Sequence, residues 1–197
     1  NLAYMGYTLG HELSHSLDDM GSKFDYKGNL NNWWTKDDLQ KFTEKAQYYI
    51  DQFSSFKSNG KNLNGELTLG ENLADHGGVK IGFYALMDKL GKTYNPISLF
   101  GSNYISLKTY DPISLDGGSN YISLNSLSPE QKFFISWANI WKNNITPEEL
   151  DKRIMTDPHS PGEWRINGTL ANIPEFHEVF SIQSGDSMYR YEPIQMW

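Results

Sequence analysis

The chain places two histidines four residues apart, with a glutamate directly after the first, in His11-Glu12-Leu13-Ser14-His15. This spacing constrains the local fold, because residues i and i+4 lie one above the other on the face of a helix. Two imidazoles placed so converge on a single zinc ion, and the intervening glutamate sits beside the water on that ion as its general base. The sequence therefore predicts a helix over residues 3–20 that carries a zinc site, with His11 and His15 as ligands and Glu12 as base. The plainer alternative is two surface histidines on an ordinary helix. Leu9, Leu13 and Leu17 recur at helical spacing and mark an apolar stripe, and Gly21 is a stop signal. Asp18 and Asp19 follow His15 at the distance where a carboxylate orients a ligand imidazole through its other nitrogen.

A catalytic zinc takes three protein ligands and keeps a fourth position open. A third histidine in the continuation H-x-x-G-x-x-H is ruled out, since positions 18 and 21 are Asp and Gly. The other solution is a glutamate from a second helix. Glu71, in Glu71-Asn72-Leu73-Ala74-Asp75, is such a residue, and Asp75 lies one turn later on the same face, placed to accept a hydrogen bond from a ligand histidine. A competing possibility is that Thr68-Leu69-Gly70-Glu71 is a helix capping box with Glu71 merely at its third position.

A further group sits far along the chain, in Asp157-Pro158-His159-Ser160-Pro161-Gly162-Glu163-Trp164-Arg165. Hydrolysis of a peptide needs a donor for the oxyanion of the tetrahedral intermediate, which a histidine can supply, and an arginine can hold a carbonyl with its two-pronged guanidinium. In a Pro- and Gly-punctuated stretch, read here as a loop over 156–168, such a histidine and arginine are more often solvated surface groups. His76 and His177 have no partners at useful spacing and read as structural.

The remaining pattern is mainly helical. Thr35 is an N-cap for residues 36–56, with Leu39, Phe42, Ala46 and Tyr49 on the apolar face. Residues 57–65 read as a polar loop, and a helix follows over 67–90 to Gly91. Ser128-Pro129-Glu130-Gln131 starts a helix bearing Phe133, Phe134, Trp137, Ile140 and Trp141. Thr146-Pro147 starts a shorter one, and Pro174 opens the last. Between them, Pro96-Ile97-Ser98-Leu99 returns as Pro112-Ile113-Ser114-Leu115, and Gly101-Ser102-Asn103-Tyr104-Ile105-Ser106-Leu107 returns as Gly118-Ser119-Asn120-Tyr121-Ile122-Ser123-Leu124. Two copies are too few for a solenoid. Residues 92–127 read as a duplicated, β-prone surface insertion in a single domain spanning 1–197.

Composition narrows the classes. A net charge of −7 offers no basic stripe for nucleic acid. The absence of cysteine excludes disulfides, thiolate metal sites and a cysteine nucleophile. No apolar run approaches a membrane span, and no signal peptide is visible. The chain opens almost on the metal motif without an initiator methionine, which reads as a fragment of a longer protein whose localisation stays open.

Three stretches, GHELSHSLDDMGSKFDYKGNLNNWW, LNGELTLGENLADHGG and DPHSPGEWRINGTLANIPEFHEVF, together with Trp197, resemble the neprilysin-like (M13) zinc endopeptidases, the family of endothelin-converting enzyme and the bacterial oligopeptidase O. The resemblance implies a zincin-like, mainly α catalytic lobe of the gluzincin type that cuts peptides on the amino side of hydrophobic residues. It implies one zinc per chain on His11, His15 and Glu71, with Glu12 as base. It makes Asp75 the orienting carboxylate, His159 the transition-state donor and Arg165 the substrate-carbonyl binder. It also implies an upstream substrate-binding strand and a large N-terminal domain that this chain lacks. The missing cysteines lean towards a bacterial-type or viral-type member. Serine after the second histidine, Ser16, stands where the family usually has glycine. A zinc-binding but catalytically idle piece with a structural or peptide-binding role is the alternative. An aminopeptidase is disfavoured, because no G-x-M-E-N sequence precedes the zinc helix.

Overall fold

A computed structural model of the chain describes residues 1–92 and 126–196. Among these the fold is mainly helical, with α1 at Tyr7–Ser14, α2 at Lys36–Ser55, α3 at Leu69–Lys89, α4 at Pro129–Asn139, α5 at Pro147–Thr156, α6 at Gly162–Leu170 and α7 at Pro174–Val179. Several helix starts are written locally. Thr35 accepts from the Asp38 amide, and Ser128 and Gln131 form a reciprocal capping box. Two strands, β1 at Lys57–Ser58 and β2 at Lys61–Asn62, pair antiparallel across Asn59 and Gly60, both at positive φ, within the stretch expected to be loop.

The pairing of α1 with α3 positions everything else. A Cβ on Gly10 would come within 2.9 Å of Ile81 Cβ, and one on Gly78 within 2.8 Å of the His11 nitrogen. Only glycine lets the two backbones approach so closely, and the approach brings the His11 face of α1 onto the Glu71 face of α3.

This pairing corrects the expected long helix. Residues 3–20 divide into a π-helical turn at Leu2–Gly6, α1, and a 3-10 turn at His15–Leu17, after which Asp18 is extended. The leucine stripe does not face the core: Leu9, Leu13 and Leu17 are 61%, 67% and 39% exposed. The buried face of α1 carries Tyr7, Gly10, His11 and Ser14 instead, because the close contact with α3 takes the small and polar side.

Two apolar clusters flank the contact. One joins Tyr7, Val79, Phe83, Phe134 and Trp137. The other joins Ala46, Tyr49, Phe53 and Leu73 with Ile194 and Met196 of the tail. The stretch expected to be a loop over 156–168 is helical from Gly162, so Arg165 stands on α6, and only residues 157–161 lack regular structure. The insertion at 92–127 lies, apart from its end residues, outside the described residues, as does Trp197. Lys92, its first residue, pairs with Glu130, just after it. No described helix is long and apolar enough to cross a membrane.

Candidate metal centre

Each side of the site comes from its own element. α1 and the 3-10 turn after it present His11 and His15. The first turn of α3 presents Glu71, the loop before α6 presents His159, and α6 presents Arg165. His11 Nε2 lies 3.2 Å from His15 Nε2 and 3.3 Å from Glu71 Oε2, and His15 Nε2 lies 3.6 Å from Glu71 Oε1. Donors held about 2.0–2.2 Å from one centre at tetrahedral angles stand roughly 3.3–3.6 Å apart, so these three groups have the chemistry and mutual spacing of a zinc site. Among the described residues they are the one group of three whose ligand atoms converge, all within 4.8 Å of one another.

Glu71 is not spent on capping. The side chain of Thr68, at the N-cap, accepts no backbone amide of the helix start; it accepts from the Asn72 side-chain amide and donates to the Asn64 carbonyl. Glu71 therefore turns to the histidines, which removes the capping-box alternative.

Both imidazoles are held from behind by carboxylates. His15 Nδ1 donates to Asp18 Oδ2 at 2.7 Å, and Asp18 Oδ1 is itself fixed by the Met20 and Gly21 amides. His11 Nδ1 lies 2.9 Å from Asp75 Oδ1. Each carboxylate can only accept, so both Nδ1 atoms carry the proton and both Nε2 atoms are left to face the cluster centre. Burial disfavours a second proton on His11, but hydrogen bonds to Asp75 and Glu71 outweigh it and push the pKa up to about 9. A cation entering the site therefore competes with a proton.

Asp75 is fully buried, yet its carboxyl is held below the usual range: burial raises it, and Arg165 and the His11 hydrogen bond overcome that. Arg165 donates from Nε to Oδ2 at 2.7 Å and from Nη2 to Oδ1 at 2.6 Å, and its guanidinium lies 4.0 Å over the Trp141 ring. Nη2 also lies 3.4 Å from Glu71 Oε2. Glu71 is lowered as well; burial opposes this, and the His11 hydrogen bond with the charges of His159 and Arg165 prevail.

His159 reaches the same point, its Nε2 3.2 Å from Glu71 Oε2, while Nδ1 donates to Asp157 Oδ1 at 2.7 Å. Glu12, exposed, lines a cleft of about 380 Å³ with His11, His159 and Arg165, backed by Tyr4, Ile140 and Trp141. All seven residues singled out from the sequence thus converge here, against the solvated-surface alternative for His159 and Arg165. Tyr7, absent from that set, also joins the site: its hydroxyl donates to Asp75 Oδ1 at 2.5 Å. It lies one turn before His11, so the spacing rule that pairs His11 with His15 pairs Tyr7 with His11 too. His76 and His177 stand apart; the Tyr49 hydroxyl lies 2.6 Å from Nδ1 of the fully buried His76.

The sequence profile described as Peptidase family M13 matches residues 1–102 and 95–195, so residues 95–102, inside the duplicated stretch, are covered twice. Neprilysin-3 of Drosophila melanogaster is 36% identical over 198 residues, covering 100% of this chain and 22% of that protein. An endothelin-converting enzyme homolog of Locusta migratoria is 32% identical over 197 residues, covering 100% of this chain and 24% of its own length. The crystal structure of the Mycobacterium tuberculosis zinc metalloprotease Zmp1 with an inhibitor superposes with a TM-score of 0.79 at 28% identity, over 96% of this chain and 26% of that one. PepO from Lactobacillus rhamnosis HN001 follows at a TM-score of 0.72 and 30% identity, over 96% of this chain and 25% of that one. The chain spans about a quarter of the length of these proteins. They include animal and bacterial members alike and do not single out the bacterial oligopeptidase type.

Proposed function

This chain belongs to peptidase family M13, and on that premise we propose that it is the zinc-bearing catalytic lobe, over residues 1–197, of a longer metallo-endopeptidase that hydrolyses oligopeptides. The observation that carries the proposal is the spacing of His11, His15 and Glu71, at 3.2–3.6 Å, with Glu12 lining the same cleft. When bound, zinc supplies Lewis acidity to the attacking water and the scissile carbonyl.

The chain's own residues do the rest. Glu12, open to the cleft, accepts the proton of the attacking water and passes it to the leaving amine. Asp75 and Asp18 keep the two ligand imidazoles oriented. Asp157 holds Nδ1 of His159, so that Nε2 faces the reacting carbonyl and donates to the oxyanion as its charge develops. Arg165 spends Nε and Nη2 on Asp75, and Nη1 makes no hydrogen bond among the described residues, which leaves it for a peptide carbonyl. The cleft wall of Tyr4, Ile140 and Trp141 suits an apolar side chain after the cut bond, and this supports cleavage on the amino side of hydrophobic residues.

The test is metal content together with cleavage of a quenched oligopeptide by the intact polypeptide that carries these residues. One zinc per chain and cleavage before a hydrophobic residue are expected. Zinc without cleavage would turn the proposal into a structural or peptide-binding role, and no zinc would overturn it.

A further inference from the structure

Tyr7 is almost fully buried, 3% exposed, and its ring stands edge-on to both Trp137 and Trp141, at 5.5 and 5.9 Å between centroids. The two indoles leave the ring little freedom, so its hydroxyl is aimed at one place. That place is Asp75 Oδ1, which accepts from Tyr7 at 2.5 Å, from His11 Nδ1 at 2.9 Å and from Arg165 Nη2 at 2.6 Å. The phenol oxygen also lies 3.3 Å from His11 Nδ1, close enough to share its proton with the carboxylate. One buried oxygen of α3 is thus gripped at two successive turns of α1, by residues 7 and 11.

We propose that Tyr7 is a positioning residue for the metal ligand His11, acting through Asp75. Arg165 alone would draw the carboxylate towards its own fork on α6. The Tyr7 hydroxyl pulls Oδ1 back towards α1, where it can accept from His11. An imidazole held at Nδ1 by a fixed acceptor cannot rotate about its ring torsion, and its Nε2 stays pointed at His15 and Glu71. Without the hydroxyl, α1 holds that oxygen through His11 alone, and the ligand supports its own orienting group.

The proposal rests on the zinc-peptidase assignment, and its test separates the two. Zinc affinity is measured by competition with a chelator on the intact polypeptide, and the cobalt-substituted protein gives a spectrum of the ligand field. Tyr7→Phe removes only the hydroxyl. It is expected to weaken zinc about tenfold and to shift the cobalt bands, with little change in the melting temperature of the metal-free protein. Phe176→Leu, in the same core cluster, should instead lower that melting temperature and leave zinc affinity unchanged. If wild type binds zinc while Tyr7→Phe keeps both wild-type affinity and wild-type bands, the positioning role fails and the zinc-peptidase assignment stands. If zinc affinity merely follows melting temperature in both variants, Tyr7 is only a packing residue, and the proposal is likewise overturned. A wild type that binds no zinc overturns both.

Discussion

His159 Nε2 stands 3.2 Å from Glu71 Oε2, although the loop and the helix that carry them are far apart in the chain. The next residue of each explains how. Ser160 donates to Asn72 Oδ1 at 2.9 Å, and both side chains are buried. This bond pins the 157–161 loop to the first turn of α3 and brings His159 to the cluster of His11, His15 and Glu71.

Ser160→Ala leaves the buried Asn72 oxygen without that donor, and should cost about 1–3 kcal/mol of stability. Zinc content should be unchanged, while peptide turnover falls, because His159 loses its anchor. Denaturant unfolding and steady-state kinetics on the same preparation check both parts; turnover equal to wild type would mean the loop is held by other means.

His159→Ala should lower kcat with little change in KM, since a donor to the oxyanion acts mainly in the transition state. Arg165→Lys should raise KM, because an ammonium cannot reproduce a fork. It should also loosen zinc, since Asp75 is fixed between the guanidinium fork and the donors of α1 and is free to turn once the fork is lost. Retention of full zinc affinity in Arg165→Lys would show that Asp75 holds its place without the guanidinium.

Glu71→Ala should lose zinc severely, and Glu12→Gln should keep it. The second variant should lose turnover by about 10²-fold or more, because Glu12 moves a proton and is not among the converging ligand atoms. Metal analysis beside a peptide assay distinguishes the two; appreciable turnover in Glu12→Gln would exclude it as the base.

His76 supplies a pH dependence of stability. Burial, reinforced by the charges of Lys80 and Lys45, pushes its pKa down to about 3, and it sits neutral against the Tyr49 hydroxyl. The unfolded chain takes up a proton near the ordinary value of about 6.5, before the folded one can. The stability contribution is therefore complete above that value and is lost as pH falls towards 3, by up to about 1.4 kcal/mol per pH unit. Urea midpoints at pH 7 and pH 5 should differ more for wild type than for His76→Leu. Equal shifts in the two proteins would assign the acid sensitivity elsewhere.

Much of the site was legible in the chain because its chemistry is written at helical period. The spacing of His11 and His15, the carboxylate of Asp18 three residues on, and Glu71 one turn before Asp75 are local facts, and a helix turns each into a shared face. The start signals Thr35 and Ser128 are local too, and both side chains cap as their sequences imply. The tertiary structure decided which face of each helix turns inward. Leu9, Leu13 and Leu17 look like a core stripe, but the glycines at 10 and 78 allow a backbone contact that buries the opposite face and leaves the leucines exposed. It also turned the Glu71 carboxylate towards the two histidines, brought His159 and Arg165 beside it, and set the Tyr7 hydroxyl against Asp75. These placements turn on distances between residues remote in the chain. Periodicity carries no information about them, because it fixes a side chain's direction on its own element and not the element that meets it.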